Sequence, residues 1–263
     1  MKNKDKKISK KRISKRKQSV EVFSEEDEKS VLETAEELKN TNVLDLTQKD
    51  FFEIKGSMGH TTFHTSQSVS AGTYYFEIEI ESIDKNVNDL VNIKKLDEFQ
   101  KKYYENLISN PREYQSTIRV GIINKKSDLR MPLGSDKLSY GYRNSDGAII
   151  NDGKYIEGNF SFYKKDVVGI LVFLKPPMPS FFKNEIVKED LDSEGNIRNS
   201  ESYIKFFINS LPQKNIVLGL WQGEYFPAIT LYNFAQVKVN FGRDFKYIHT
   251  IENNKSIKSF ADI

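Results

Sequence analysis

The sequence predicts an all-β fold: a sandwich of two antiparallel sheets with one helical insertion and a disordered basic N-terminal tail. Three observations predict it. Apolar residues recur at every second position in Thr73-Tyr-Tyr-Phe-Glu-Ile-Glu-Ile-Glu81 and through Ile118, Val120 and Ile122, the period of a strand with one buried face. Val167-Val-Gly-Ile-Leu-Val-Phe-Leu174 is a near-continuous apolar run, which suits a strand buried on both faces. Turn-forming clusters such as Asn144-Ser-Asp-Gly147 and Lys175-Pro-Pro-Met-Pro179 separate the runs. Alternating strands of this kind supply two apolar faces that bury each other.

The elements follow in chain order. Residues 1–17 hold ten Lys or Arg and one acid, out of 40 and 37 in the chain, leaving 30 basic and 36 acidic groups for the rest. Such a leader has little to bury and repels itself, so residues 1–40 are expected to be a disordered tail, basic and then acidic. Within it Lys10, Lys11, Arg12, Lys15, Arg16 and Lys17 form the type of cluster that contacts nucleic acid or import receptors. Weak, sequence-independent DNA contact follows from cations without fixed geometry. Ser24 and Asp27 are placed to cap a short helix bearing Val31, Leu32, Ala35 and Leu38.

Val43–Leu46 and Phe51–Ile54 read as entry strands and Phe63–Val69 as another. In the strand after Gly72 the alternation puts Tyr74, Phe76, Ile78 and Ile80 inside and Tyr75, Glu77, Glu79 and Glu81 outside. Residues 84–115 break the strand pattern: Leu90, Ile93, Leu96 and Phe99 recur at helical spacing, Tyr103 and Leu107 continue that face, and Asn110-Pro111 stops it. This insertion is expected to pack on the sheet. Ile118–Ile123 and Leu138–Tyr142 flank a proline-bearing turn, and in one sheet their Arg119 and Arg143 share a polar face. Residues 176–202, charged and turn-rich, read as a second insertion. Ile204–Ile208 and Ile216–Leu220 resume the strands, and Glu224–Tyr232 and Ala235–Gly242 read as a last pair joined by Asn233-Phe234.

Function classes narrow by chemistry. The chain has no cysteine and three histidines, so neither a disulfide framework nor a zinc finger can form. His60 and His64 stand four apart in a non-helical, threonine-rich setting without a third ligand nearby. Neither a nucleophile elbow nor a phosphate-cradling glycine loop occurs. The sequence therefore reads as a non-enzyme without cofactor or metal. No apolar run approaches the roughly 20 residues that cross a bilayer, so no membrane association is expected.

Six phrases in order carry a resemblance: Gly72-Thr-Tyr-Tyr-Phe-Glu-Ile78, Ile118-Arg-Val-Gly121, Pro132-Leu-Gly-Ser-Asp-Lys-Leu-Ser-Tyr140, Lys165-Asp-Val-Val-Gly169, Tyr225-Phe-Pro-Ala-Ile-Thr-Leu-Tyr232 and Val239-Asn-Phe-Gly242. They resemble the SPRY domain, and most closely the SPRY subunit of Set/COMPASS histone H3 lysine-4 methyltransferase complexes, the absent-small-or-homeotic-two family. The resemblance implies a SPRY domain over 41–250, insertions at about 84–115 and 176–202, and a short tail over 251–263. It also implies a nuclear, non-catalytic scaffold that binds an acidic segment of a WD-repeat propeller subunit and promotes methylation by a SET-domain subunit.

The positions that match the family's peptide site are Tyr75, Arg119, Pro132 and Arg143. Ser135 and Ser145 stand where the family tends to carry a tyrosine and a lysine. Arginines suit the task because a guanidinium pairs bidentately with a carboxylate. Nucleosomal DNA is expected as a further partner through the basic tail. The family's dumpy-type helical dimer grips an amphipathic helix after the sandwich, and Ile257, Phe260 and Ile263 span too little for that, so weak or no binding is expected. The rival reading is a generic SPRY adaptor, such as one serving a ubiquitin ligase.

Overall fold

The computed structural model describes residues 42–83, 93–109, 116–177, 191–242, 244–251 and 256–263, which lie in one compact unit, Asn42–Ile263. The cluster Lys10–Lys17, the capped segment after Ser24 and Leu90 lie outside the described residues. The chain runs β1 (Val43–Leu44), β2 (Phe51–Lys55), β3 (His60–Thr65), β4 (Gly72–Ser82), α1 (Glu98–Ser109), β5 (Ile118–Asn124), β6 (Ser139–Arg143), β7 (Ile149–Asn151) and β8 (Lys154–Ile156). It continues through β9 (Val167–Leu174), β10 (Arg198–Ile208), β11 (Leu211–Trp221), β12 (Tyr225–Tyr232), β13 (Gln236–Asn240) and β14 (Lys258–Ser259).

The expected two-sheet, all-β architecture is present. One sheet has the order β1-β3-β12-β5-β6-β7-β8, the other β11-β10-β9-β4-β13-β2, with β14 added against β4. Pairing is antiparallel except for the short β1–β3 and β14–β4 pairs. The core lies between the sheets. Ile118, Val120, Ile122, Tyr140 and Tyr142 from the first meet Phe76, Ile78, Val168, Ile170 and Phe206 from the second. The alternation that predicted β5 thus points its aliphatic set inward, and β9 is buried along nearly its whole length.

Four expectations are corrected. β12 and β13 do not pair: both edges of β12 are taken by β3 and β5, so the chain changes sheets at Asn233-Phe234, and β13 lies between β2 and β4. Two left-handed residues make that corner, with φ of 48° and 68°, and the Asn233 carboxamide oxygen accepts bonds from the Gly59 amide and the Tyr103 hydroxyl.

The described part of the helical insertion packs on the body through Leu96 and Tyr103 of the expected face, but Phe99 of that face is not buried. Tyr104 is buried beside Met58, Leu96, Tyr103 and Phe234, whereas Phe99 is 81% exposed. The Asn233 corner takes the Tyr103 end of the stripe, with the Tyr103 hydroxyl on Asn233, and turns Tyr104 rather than Phe99 toward the body. The second insertion is shorter than expected because β10 already begins at Arg198 and is paired with β11 across their hairpin.

The fourth correction concerns the outer face of β4. Tyr75 and Glu77 are not outside; they are 1% and 4% exposed. The C-terminal segment lies over them, with Phe245, Ile248, Ile251 and Ile257 packed on Tyr75, Leu171 and Phe207. Of residues 251–263, read as a tail, the described 256–263 return to the body: Lys258 and Ser259 pair with Tyr74 and Tyr75, and Phe260 enters the main core. Glu77 anchors this segment. Its carboxylate accepts the backbone amides of Lys246 and Tyr247, both at 2.7 Å, and the Tyr75 hydroxyl at 3.0 Å.

Glu77→Gln keeps the size but turns one acceptor into a donor facing a backbone N–H. It should destabilise the fold by about 1–3 kcal/mol. Hydrogen exchange at the Lys246 and Tyr247 amides should accelerate, and unchanged exchange would show that the carboxylate does not hold the segment.

Candidate functional site

The site is built on the outer face of the first sheet, whose rows follow from register. One row runs Thr62, Thr230, Arg119, Arg143 across β3, β12, β5 and β6. The next runs His64, Ala228, Gly121, Gly141, Ile150, Tyr155 out to β8. The prediction that Arg119 and Arg143 share a polar face holds, since they are direct cross-strand partners.

The segment 125–138 folds back over part of this face. Leu133 packs with Ile123, Phe226 and Ala228, and Leu129 joins them. Gly141 makes room for it, as a Cβ there would stand 2.8 Å from the Leu133 Cβ. The Pro132–Ser135 turn closes through the Ser135 amide to the Pro132 carbonyl at 3.1 Å, with Gly134 at φ 86° in the third position of a type II turn.

The polar row holds that segment by its backbone. The Thr62 hydroxyl donates to the Met131 carbonyl at 3.0 Å, the Leu133 amide donates to the Thr230 hydroxyl at 3.0 Å, and Arg119 Nη1 donates to the Leu133 carbonyl at 2.9 Å. Among the described residues Arg119 pairs with no sheet acid. Its guanidinium lies over the Tyr232 ring at 5.5 Å, and its buried Nε has no hydrogen-bond partner among the described residues. Burial pulls the Arg119 pKa below its usual value, opposed by Tyr232, with the Arg143 charge adding to the fall.

Arg143 is half-buried and differently occupied. Its Nε donates to Asp146 Oδ1 at 2.9 Å and its Nη2 to Oδ2, a two-pronged pair, while the guanidinium stacks over Tyr155 at 4.9 Å. The hydrogen bond from Arg143 holds the Asp146 carboxyl below the usual carboxylate range, and Asp146 raises Arg143 in return. Tyr155 stays 54% exposed. The face thus offers two adjacent guanidinia, each against a tyrosine, beside an exposed Met131 and a half-buried Pro132.

Of the five residues predicted for this site, the structure brings together Arg119, Arg143 and Pro132. Ser135 is exposed in the same turn, its hydroxyl donating to the Pro132 carbonyl at 2.6 Å. Tyr75 is elsewhere: it belongs to the other sheet, with Phe245 at 5.0 Å and the Glu77 carboxylate on its hydroxyl. Its assignment as a contact residue is corrected to a structural one, because the C-terminal segment buries it.

Sequence reasoning missed three neighbours. Tyr232 was legible from its register, two positions beyond Thr230 on the same face; Asp146 from its place three residues after Arg143 in a turn. Tyr155 carries no local signal, since only the β7–β8 hairpin brings it to Arg143. His60 and His64 sit against Tyr232 and Phe226, and no group of three metal-binding side chains occurs among the described residues. A separate cleft of about 580 Å³, lined by Trp221, Lys126, Asn196 and Gln222 among others, includes none of the predicted residues.

No family model matches the chain. It is 25% identical over 226 residues to the Set1/Ash2 histone methyltransferase complex subunit ASH2 of Drosophila melanogaster, covering 79% of this chain and 35% of that protein. It is likewise 25% identical over 221 residues to the subunit ash-2 of Caenorhabditis elegans, covering 73% of this chain and 34% of that protein. The chain thus spans about a third of the length of these curated relatives. Among solved structures it is similar to a human SPRY domain, with a TM-score of 0.44 and 16% identity over 74% of this chain and 94% of that one. The SPRY domain of human HERC1 also gives 0.44, with 15% identity over 72% and 87%.

Proposed function

We propose that this chain, a sequence relative of the Set1/Ash2 histone methyltransferase complex subunits, is a non-catalytic subunit of a nuclear histone H3 lysine-4 methyltransferase complex. In this reading Arg119 and Arg143 receive an acidic segment of a WD-repeat propeller subunit, and the assembly promotes methylation by the SET-domain subunit. The observation that carries the site is the cross-strand arginine pair on a face that the 125–138 segment leaves open at its Tyr155 edge. Charge-assisted hydrogen bonds to such a pair contribute roughly 1.5–3 kcal/mol each. Arginine also reads the planar geometry of a carboxylate, which lysine cannot. The tyrosines beneath the guanidinia fix their planes and so lower the entropy cost of binding. In the same proposal the cations of residues 1–17 add weak contact to nucleosomal DNA.

The test is purification of the tagged full chain from its own cells, followed by identification of what accompanies it. A SET-domain protein together with WD-repeat propellers is the expected result. Recovery of ubiquitin-ligase subunits in their place would replace this reading with that of an adaptor.

A further inference from the structure

One guanidinium of the pair is already engaged by a carboxylate of the chain itself. Asp146 meets Arg143 through both oxygens, and its Oδ1 also accepts the Ala148 amide at 3.2 Å, so the turn holds it in the pairing position. Arg119 is different. Its one hydrogen bond among the described residues is to the Leu133 carbonyl, and the charged groups acting on it are Arg143 and Asp146. Between them these two cations and one anion carry a single net positive charge.

We propose that Asp146 is an internal competitor at this site, a specificity-determining residue that selects segments with adjacent carboxylates over singly charged ones. The proposal rests on the acidic-segment reading above. A lone ligand carboxylate either meets Arg119 alone, against the repulsion of the Asp146 charge beside it, or displaces Asp146 and exchanges one two-pronged pair for another without the advantage of the tether. A ligand bearing two adjacent carboxylates does better. One meets the free donors of Arg119, and the second replaces Asp146, whose exposed carboxylate passes to water at little cost. Selection against weak ligands is then achieved by a repulsive element placed beside the attractive ones.

The experiment titrates the full chain and its Asp146→Asn and Arg119→Ala variants by fluorescence anisotropy. The probes are two labelled glycine-serine peptides, one with four consecutive glutamates and one with a single glutamate. Asparagine keeps an acceptor for the Ala148 amide, and Asp146→Ser serves as a second variant should the first melt early. The expected result is about fivefold tighter tetraglutamate binding by Asp146→Asn, the scale of an exposed ion pair, with measurable monoglutamate binding in that variant only. Its affinity should also depend more steeply on salt. If Arg119→Ala loses tetraglutamate but Asp146→Asn binds it no tighter, the competitor is refuted while the acidic-segment reading stands. If Arg119→Ala binds as well as the unaltered chain, acidic segments engage another surface and both readings fall.

Discussion

Replacing Phe260 with alanine should cost about 3–5 kcal/mol, the range for removing a buried phenyl ring. In a unit of this size that lowers the melting temperature by roughly 6–20 °C. The side chain is fully buried, with ring centroids 5.1 Å from Tyr74 and 5.6 Å from Phe76. The segment it enters from is otherwise held by a two-residue parallel pair to β4, Ile257 on the Tyr75 cluster, the Ala261 amide on the Phe241 carbonyl, and a turn in which the Ser259 amide and hydroxyl both donate to the Asp262 carboxylate. The lost ring would therefore also weaken the hold on residues 256–263 and uncover Tyr74. Ile263→Ala, at a half-exposed position, is the control and should shift the transition little. A Phe260→Ala protein that melts with the unaltered chain would mean that the segment is not seated in the core in solution.

Alanine at Arg119 should reduce affinity for an acidic segment at least tenfold, because it removes one of two adjacent guanidinia from a half-enclosed face. It should also be felt in stability, by about 1–2 kcal/mol, since the bond that ties the Leu133 carbonyl to the sheet disappears. The loss is moderated because the unpartnered buried Nε goes with it. Lysine at 119 should keep the charge and recover part of the binding, yet lose the fork that serves the carbonyl and the ligand together. Arg143→Ala gives the comparison: its pair with Asp146 is at the surface, so its stability cost should stay within about 1 kcal/mol while binding falls. Calorimetric titration with an acidic peptide, run beside thermal melts, separates the two effects. A large drop in melting temperature with full affinity at low temperature would make Arg119 a purely structural clamp.

The sequence by itself determined what depends on neighbours along the chain. Period-two alternation placed Ile118, Val120 and Ile122 inside and Arg119 outside, because successive side chains of a strand point to opposite faces whatever lies beside it. The apolar run Val167–Leu174 identified a strand covered on both sides, and Asn144–Gly147 and Pro132–Ser135 marked turns by residues that accept their backbone angles. The cross-strand meeting of Arg119 with Arg143 was legible for a related reason: their strands are consecutive in the chain, and both arginines occupy polar positions.

What only the tertiary structure decided are the matters settled between segments distant in sequence. Alternation says that Tyr75 and Glu77 face away from Ile78, but not that Phe245 and Ile257 return from more than 160 residues away to cover them. It cannot tell that β12 and β13 belong to different sheets, since the edges that β12 uses are fixed by β3 and β5. Phe99 looked inward by helical spacing, yet α1 turned Tyr104 down instead, toward a corner made by Met58 and Phe234. Tyr155 reaches Arg143 only because β7 and β8 complete the sheet edge. In each case the local pattern names a face, and burial is decided by whichever distant segment gains most by covering it.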